Sequence, residues 1–192
     1  WSRGKGVEVA LIDTGVDIQH PDLAGRITST RNFVDGDAHA FVHDLHGTQV
    51  AGVIAAQENN RIGIVGIAPE VSLIALKACW QSVPGAHALC NSFTLAQALT
   101  VAVNSGARVV NLSLSGPVDP LLEGLIEWGS GRGVIFVGAV PASGRLEGFP
   151  AAVPGVFAVD GLNFSTTDAA TLHAPGDQIL TLTPDGHYDF AS

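Results

Sequence analysis

The chain has 192 residues, with 9 Lys and Arg against 18 Asp and Glu, for a formal net charge of −9. So sparse and acidic a charge set argues against nucleic acid and anionic membrane surfaces as partners, because both are bound through clustered cations. Hydrophobic residues make up 46% and charged residues only 14%, so the chain reads as one globular domain with a sizeable core, and no apolar run approaches the ~18 residues that cross a bilayer.

In chain order, apolar runs alternate with helical patterns. Val7 to Asp13 is the first strand candidate, ended by Thr14-Gly15. Gly47 to Gln57 is an Ala- and Val-rich helix. Val71 to Lys77 is the second strand, and Ser92 to Asn104 a helix with Phe93, Ala96, Leu99 and Val103 on one face. Arg108 to Leu114 is the third strand. A helix then opens at Asp119-Pro120, a capping residue followed by proline at the first helical position. Gly106 and Gly133 stand just past the last two helices, where a left-handed residue is wanted. Val134 to Val137 and Val156 to Val159 are the fourth and fifth strands, and the remainder reads as strands and turns at Pro175-Gly176 and Pro184-Asp185-Gly186. The strands are continuously apolar rather than alternating, as in a parallel sheet covered on both faces. The order predicts an α/β fold with a mostly parallel sheet.

Two short runs carry chemistry. Asp13 closes the first strand, at the sheet edge where open α/β folds collect ligands. Taken singly, it reads as a turn former. His46, in His46-Gly47-Thr48, opens the Ala-rich helix. Imidazole titrates near neutrality and suits a general base, and a helix N-terminus favours its neutral form. Taken singly, it reads as a packed helix-start histidine. Asp13-Thr14-Gly15 also matches the aspartic-peptidase signature, but those enzymes are all-β and this chain alternates. His43 and His46 lack a third nearby ligand for zinc. Trp1, Trp80 and Trp128 read as packing residues.

The motifs occur in a specific order. Asp13-Thr14-Gly15-Val16-Asp17 precedes His20-Pro21-Asp22-Leu23, then His46-Gly47-Thr48 and Val50-Ala51-Gly52. Gly63-Ile64-Val65-Gly66-Ile67-Ala68-Pro69, Val110-Asn111-Leu112-Ser113-Leu114 and Ala174-Pro175-Gly176 follow. Over nearly its whole length this chain resembles the catalytic domain of subtilisin-like serine peptidases. The resemblance implies a three-layer α/β fold, a peptide or protein substrate, and endopeptidase chemistry through an Asp–His–Ser triad. Asp13 matches the acid that orients the imidazole, and His46 the base that activates the serine hydroxyl. Ser113, Leu114, Ser115 and Gly116 match the strand that pairs with an extended substrate.

The sequence departs from the family pattern twice. The family's nucleophile lies in a Gly-[Thr/Ser]-Ser-x-Ala motif, and Tyr188 to Ser192 resembles the segment before it. Ser192 stands about three residues short of the nucleophile position, so it is not assigned that role. The expectation is that residues 1–192 form an incomplete domain whose serine lies farther on. The absence of Met and the start at Trp1 suggest a processed or cut N-terminus. An uncovered sheet face in such a fragment predicts self-association. The second departure is Ala142, which occupies the position of the family's oxyanion Asn, with Ser143 as a substitute donor in a shifted alignment. That loss motivates the alternative of an inactive pseudopeptidase that binds or scaffolds.

The segment Glu58 to Ile64 resembles the family's calcium loop. The resemblance implies ligands from Asp22 and Asn60 side chains and the carbonyls of Glu58, Ile62 and Ile64, and calcium wants six to eight oxygens. A helix-ending Asn-rich loop without an ion is the alternative. Cys79 and Cys90 bracket a polar insert containing Pro84-Gly85. A disulfide there closes a short loop, worth roughly 3 kcal/mol, and implies an oxidising compartment, periplasmic or extracellular. Two free thiols are the alternative.

Overall fold

The computed structural model describes residues 2–81, 87–161 and 171–191; Trp1, Pro84-Gly85 and Ser192 lie outside them. Strand β1 spans Glu8–Asp13, β2 Ile27–Asn32 and β3 Ser72–Lys77. Two short strands, β4 (Cys79–Trp80) and β5 (Leu89–Cys90), form a separate pair. Then come β6 (Val109–Leu112), β7 (Ile135–Ala139), β8 (Val156–Gly161) and β9 (Leu172–Ala174), and finally β10 (Ile179–Thr183) with β11 (His187–Ala191). Helices are α1 (Ala38–His43), α2 (Leu45–Ala55), α3 (Ser92–Asn104) and α4 (Pro120–Ser130).

The central sheet has seven strands in the order β2-β3-β1-β6-β7-β8-β9, and every neighbouring pair in it is parallel. Alternate residues of β1 face opposite layers. Ala10 and Ile12 join a core with α3 and α4 through Leu95, Leu99, Leu122 and Ile126. Val9 and Leu11 join another with α2 and the β10–β11 hairpin through Ala51, Ala55 and Leu182. Two buried faces explain why β1 reads as a continuous apolar run. The fold is α/β in three layers.

Helix α3 starts and stops at the residues the pattern predicts, capped by Asn91, whose side chain accepts from the Thr94 N–H at 2.9 Å; such a cap is worth about 1 kcal/mol. Its buried face differs from the expected one. Leu95, Ala98, Leu99, Ala102 and Val103 are buried, whereas Phe93 is 70% exposed. Thr94 and Leu95 of the same turn are buried, so the covered stripe is rotated around the helix and leaves Phe93 on the opposite side. Asp119 caps α4 as expected, accepting from the N–H groups of Leu121 and Leu122. Gly106 and Gly133 both take positive φ. Strand β6 ends at Leu112, two residues earlier than its apolar run.

Strand β1 lies between β3 and β6, where the chain switches from one half of the sheet to the other. Asp13 therefore ends on the floor of the crevice at the carboxyl edge, where such sheets bind ligands.

Candidate active site

Asp13 is 3% exposed and sits in register with Lys77 of β3. His46 lies in the first turn of α2. Its Nδ1 is 2.7 Å from Asp13 Oδ1, and the same carboxylate oxygen accepts from the Thr14 N–H at 2.7 Å. An ionised carboxylate only accepts, so Nδ1 carries the proton and Nε2 keeps its lone pair. The His46 side chain remains 43% exposed. The Asp13 hydrogen bond is the largest influence on the imidazole, and it raises the pKa above the ordinary 6.5 despite burial. A helix N-terminus favours neutral imidazole, but the carboxylate outweighs it and the cation is the stabilised form.

The turn after β1 and the start of α2 are clamped together by further bonds. Gly47 N–H donates to Thr14 Oγ1 at 2.9 Å, and Asp17 N–H to Thr48 Oγ1 at 2.9 Å. Gly15 N–H donates to Asp44 Oδ2 at 2.8 Å. The approach leaves no room for side chains: a Cβ on Gly15 would stand 2.0 Å from the Phe41 carbonyl, and one on Gly47 would stand 2.3 Å from the Gly15 carbonyl. Asp44 also pairs with Lys77, which is only 2% exposed. Asp44 precedes α2 without capping it through its side chain, because its carboxylate is engaged across the crevice. Sequence reading missed Asp44 and Lys77. The one available signal was a lysine ending an otherwise apolar strand.

A cleft of about 720 Å³ opens beside this pair, lined by Asp13, His46 and the whole run Ser113, Leu114, Ser115 and Gly116. Residues 113–115 are irregular rather than strand. Gly116 exchanges both main-chain bonds with Phe149, at 2.8 and 2.9 Å, so its N–H and carbonyl are engaged within the chain. Cys79 and Cys90 form a disulfide, as the insert suggested.

Ala142 does not line this cleft. It is exposed in the loop after β7 and lines a depression with Asp160 and Pro175, residues that also line a groove reaching His46. Ser143, the substitute donor, gives its hydroxyl to Glu147 Oε1 at 3.1 Å. Trp128 packs against the α3–α4 core, with the Arg132 guanidinium 4.3 Å above its ring.

Of the expected calcium ligands, Asp22 and Asn60 come into contact, and the main chain of Ile62 and Ile64 bonds to them through N–H groups. Asp22 is fully buried in a short 3-10 turn, Pro21–Leu23. Its Oδ2 accepts from the Ile64 N–H at 3.0 Å, and its Oδ1 from Asn60 Nδ2. The Tyr188 hydroxyl donates to the same carboxylate, and burial and this bond raise the phenol pKa. Asn60 Oδ1 accepts from the Ile62 N–H at 3.2 Å. Glu58 pairs through its side chain with Arg3, leaving its carbonyl as the expected ligand. A carboxylate, an amide oxygen and main-chain carbonyls are donor kinds that calcium takes; here donors from Asn60 and Ile64 face both Asp22 oxygens. Among the described residues no cluster of three His, Cys, Asp or Glu side chains is placed to hold a metal ion, here or elsewhere.

The model of the subtilase family, peptidase S8, matches residues 4–186. The chain belongs to this family. It is 34% identical over 206 residues to an intracellular serine protease of Paenibacillus polymyxa, covering 97% of this chain and 61% of the relative. It is 32% identical to thermitase of Thermoactinomyces vulgaris, covering 97% of this chain and 69% of that protein. The crystal structure of a cold-adapted subtilisin-like serine proteinase superposes with a TM-score of 0.84 at 28% identity, covering 100% of this subtilase chain and 70% of the other. The subtilase thus spans roughly two thirds of these proteins, with the Asp13 and His46 motifs inside the shared part. No helix among its described residues is long and apolar enough to cross a membrane.

Proposed function

We propose that residues 1–192 are the acid- and base-bearing part of a serine endopeptidase domain whose nucleophilic serine lies beyond residue 192. The observation that carries this reading is the 2.7 Å contact of His46 Nδ1 with buried Asp13 at the head of the cleft. A serine hydroxyl is a weak nucleophile at neutral pH and needs a positioned base. His46 Nε2 would take its proton as the hydroxyl attacks the peptide carbonyl, then return it to the leaving amine. Asp13 holds the tautomer and stabilises the imidazolium. A second groove, of about 480 Å³, has His46 at its rim and Val50, Val53, Val137 and Ile179 among its lining. It offers an apolar seat for a serine-bearing segment within reach of the base.

The test is labelling of the full-length protein with a fluorophosphonate. The expected adduct maps to a serine after Ser192 and disappears in His46→Ala. An adduct that persists in that variant overturns the triad. No adduct at all favours the second reading, a subtilase used for binding. Ala142 in place of the oxyanion donor, with Ser143 engaged by Glu147, is the observation on that side.

Calcium belongs to the same proposal. Asp22 and Asn60, with the carbonyls of Glu58, Ile62 and Ile64, would hold it, and its role there is to brace the loop. Saturating calcium should raise Tm by roughly 5–10 °C over the chelated protein. A Tm indifferent to chelation, or the same rise in Asp22→Asn, rejects the site. The disulfide favours an oxidising compartment, periplasmic or extracellular, although two relatives are named as intracellular.

A further inference from the structure

The Cys79–Cys90 bridge occupies an unusual place. Cys79 is 2% exposed and follows Ala78, whose N–H donates to the Asp13 carbonyl at 2.9 Å. One end of the bridge is therefore tied to the main chain of the residue that orients His46. The other end, Cys90, immediately precedes Asn91, the cap of α3. Between these ends β4 and β5 pair over two residues each, Cys79 with Cys90 and Trp80 with Leu89. They form a sheet of their own, apart from the central one. So short a two-stranded pair has little stability by itself in water. The bridge joins directly opposed residues, so it holds this pair in register.

The pair also belongs to the cleft. Cys79, Leu89 and Cys90 line the same space as Ser113, Leu114 and Ser115. Leu89 is 52% exposed there, an apolar side chain at the cleft's margin that an extended apolar peptide would cover. The α3 end is held without the bridge, because Thr94 Oγ1 donates to the Ala78 carbonyl at 2.7 Å. What depends on the bridge is the wall at Leu89, not the site of Asp13 and His46.

We infer that the Cys79–Cys90 disulfide is a positioning element of the substrate cleft: it fixes β5 as a wall for an extended apolar peptide, and its reduction weakens peptide binding without disabling the catalytic pair. This rests on the peptidase reading of the cleft. Reduction by a dithiol delivers two electrons and two protons, leaves two cysteine thiols, and converts the dithiol to its cyclic disulfide.

The experiment compares the full-length protein oxidised, reduced with dithiothreitol, reoxidised, and as the double variant Cys79→Ser/Cys90→Ser. Two substrates separate the effects: an apolar tetrapeptide anilide, and a single-residue ester too short to reach Leu89. Anisotropy of the same tetrapeptide with a reduced, uncleavable bond reads binding directly. Reduction and the double variant should each raise the tetrapeptide KM and Kd about tenfold, and leave kcat and the ester constants within about twofold. Reoxidation should restore the wild-type values. Unchanged tetrapeptide affinity, absence of tetrapeptide binding in the oxidised protein, or an equal loss on both substrates each overturns the inference. If the oxidised protein cleaves neither substrate, the peptidase reading fails, and the anisotropy still decides the role of the bridge.

Discussion

The two parts of the molecule that the family would use on one reaction are built differently. The turn after β1 and the start of α2 are cross-linked by His46–Asp13, Gly47–Thr14, Asp17–Thr48 and Gly15–Asp44, with Lys77 buried behind them. The loop after β7 bonds mainly to itself: Ser143 to Glu147, and Gly144 N–H to the Pro141 carbonyl at 2.8 Å. The contrast teaches that the Asp13–His46 geometry is fixed by bonds between separate segments, whereas the exposed loop after β7 is held mainly by bonds within itself. Donors held in place beforehand cost no reorganisation during a reaction, so under the peptidase reading the two parts are prepared to different degrees.

The largest expected effect breaks the preorganised half. Asp13→Asn in the full-length protein should lower kcat by about 10⁴, because an amide that donates to Nδ1 selects the wrong tautomer. Steady-state kinetics measure this, and a loss below tenfold would show that His46 works unaided. Next comes Lys77→Met, which leaves the Asp44 carboxylate buried without its cation. Removing one partner of a buried pair costs about 3–5 kcal/mol, to be read from urea unfolding. A variant as stable as wild type would mean that Asp44 is solvated after all.

The exposed half gives a smaller effect. Ala142→Asn restores the family residue in a loop that is exposed and absent from the lining of the cleft that holds Asp13 and Ser113. Its gain in kcat should stay under about tenfold, against the 10²–10³ that an aligned oxyanion donor is worth. A larger gain would show that the loop closes onto substrate.

The smallest effect is a pH dependence of stability. The folded pKa of His46 lies above the ordinary 6.5, so the folded state holds the proton more tightly. Its stabilisation is complete below the unfolded pKa and is lost as pH rises through the folded value. The Tm difference between wild type and His46→Ala should therefore shrink as pH climbs through that window. Activity should run the opposite way, because only the neutral imidazole accepts a proton. A constant Tm difference would refute the raised pKa.

Local pattern was sufficient for several elements because their determinants are local. The bounds of α3 follow from apolar spacing and the Asn91 cap, and the start of α4 from Asp119-Pro120. Asp13 and His46 were legible through motif order. The Lys77–Asp44 pair was not, since its partners lie 33 residues apart and neither belongs to a pattern that names the other. Phe93 was misplaced for a related reason. Periodicity allows more than one apolar stripe on an Ala-rich helix, and only the neighbouring layer decides which stripe is covered.

Length, charge and alternating runs by themselves determined an acidic α/β chain with a doubly covered sheet, because secondary-structure period and burial are written residue by residue. Motif order added the family and the two residues of the acid–base pair. The tertiary structure alone decided that Gly116 is engaged by Phe149, that Ala142 is absent from the lining of the cleft that holds Asp13 and Ser113, and that both disulfide cysteines line that cleft. Each depends on where distant segments meet at the edge of the sheet, and contact between distant segments is set by packing rather than by local preference.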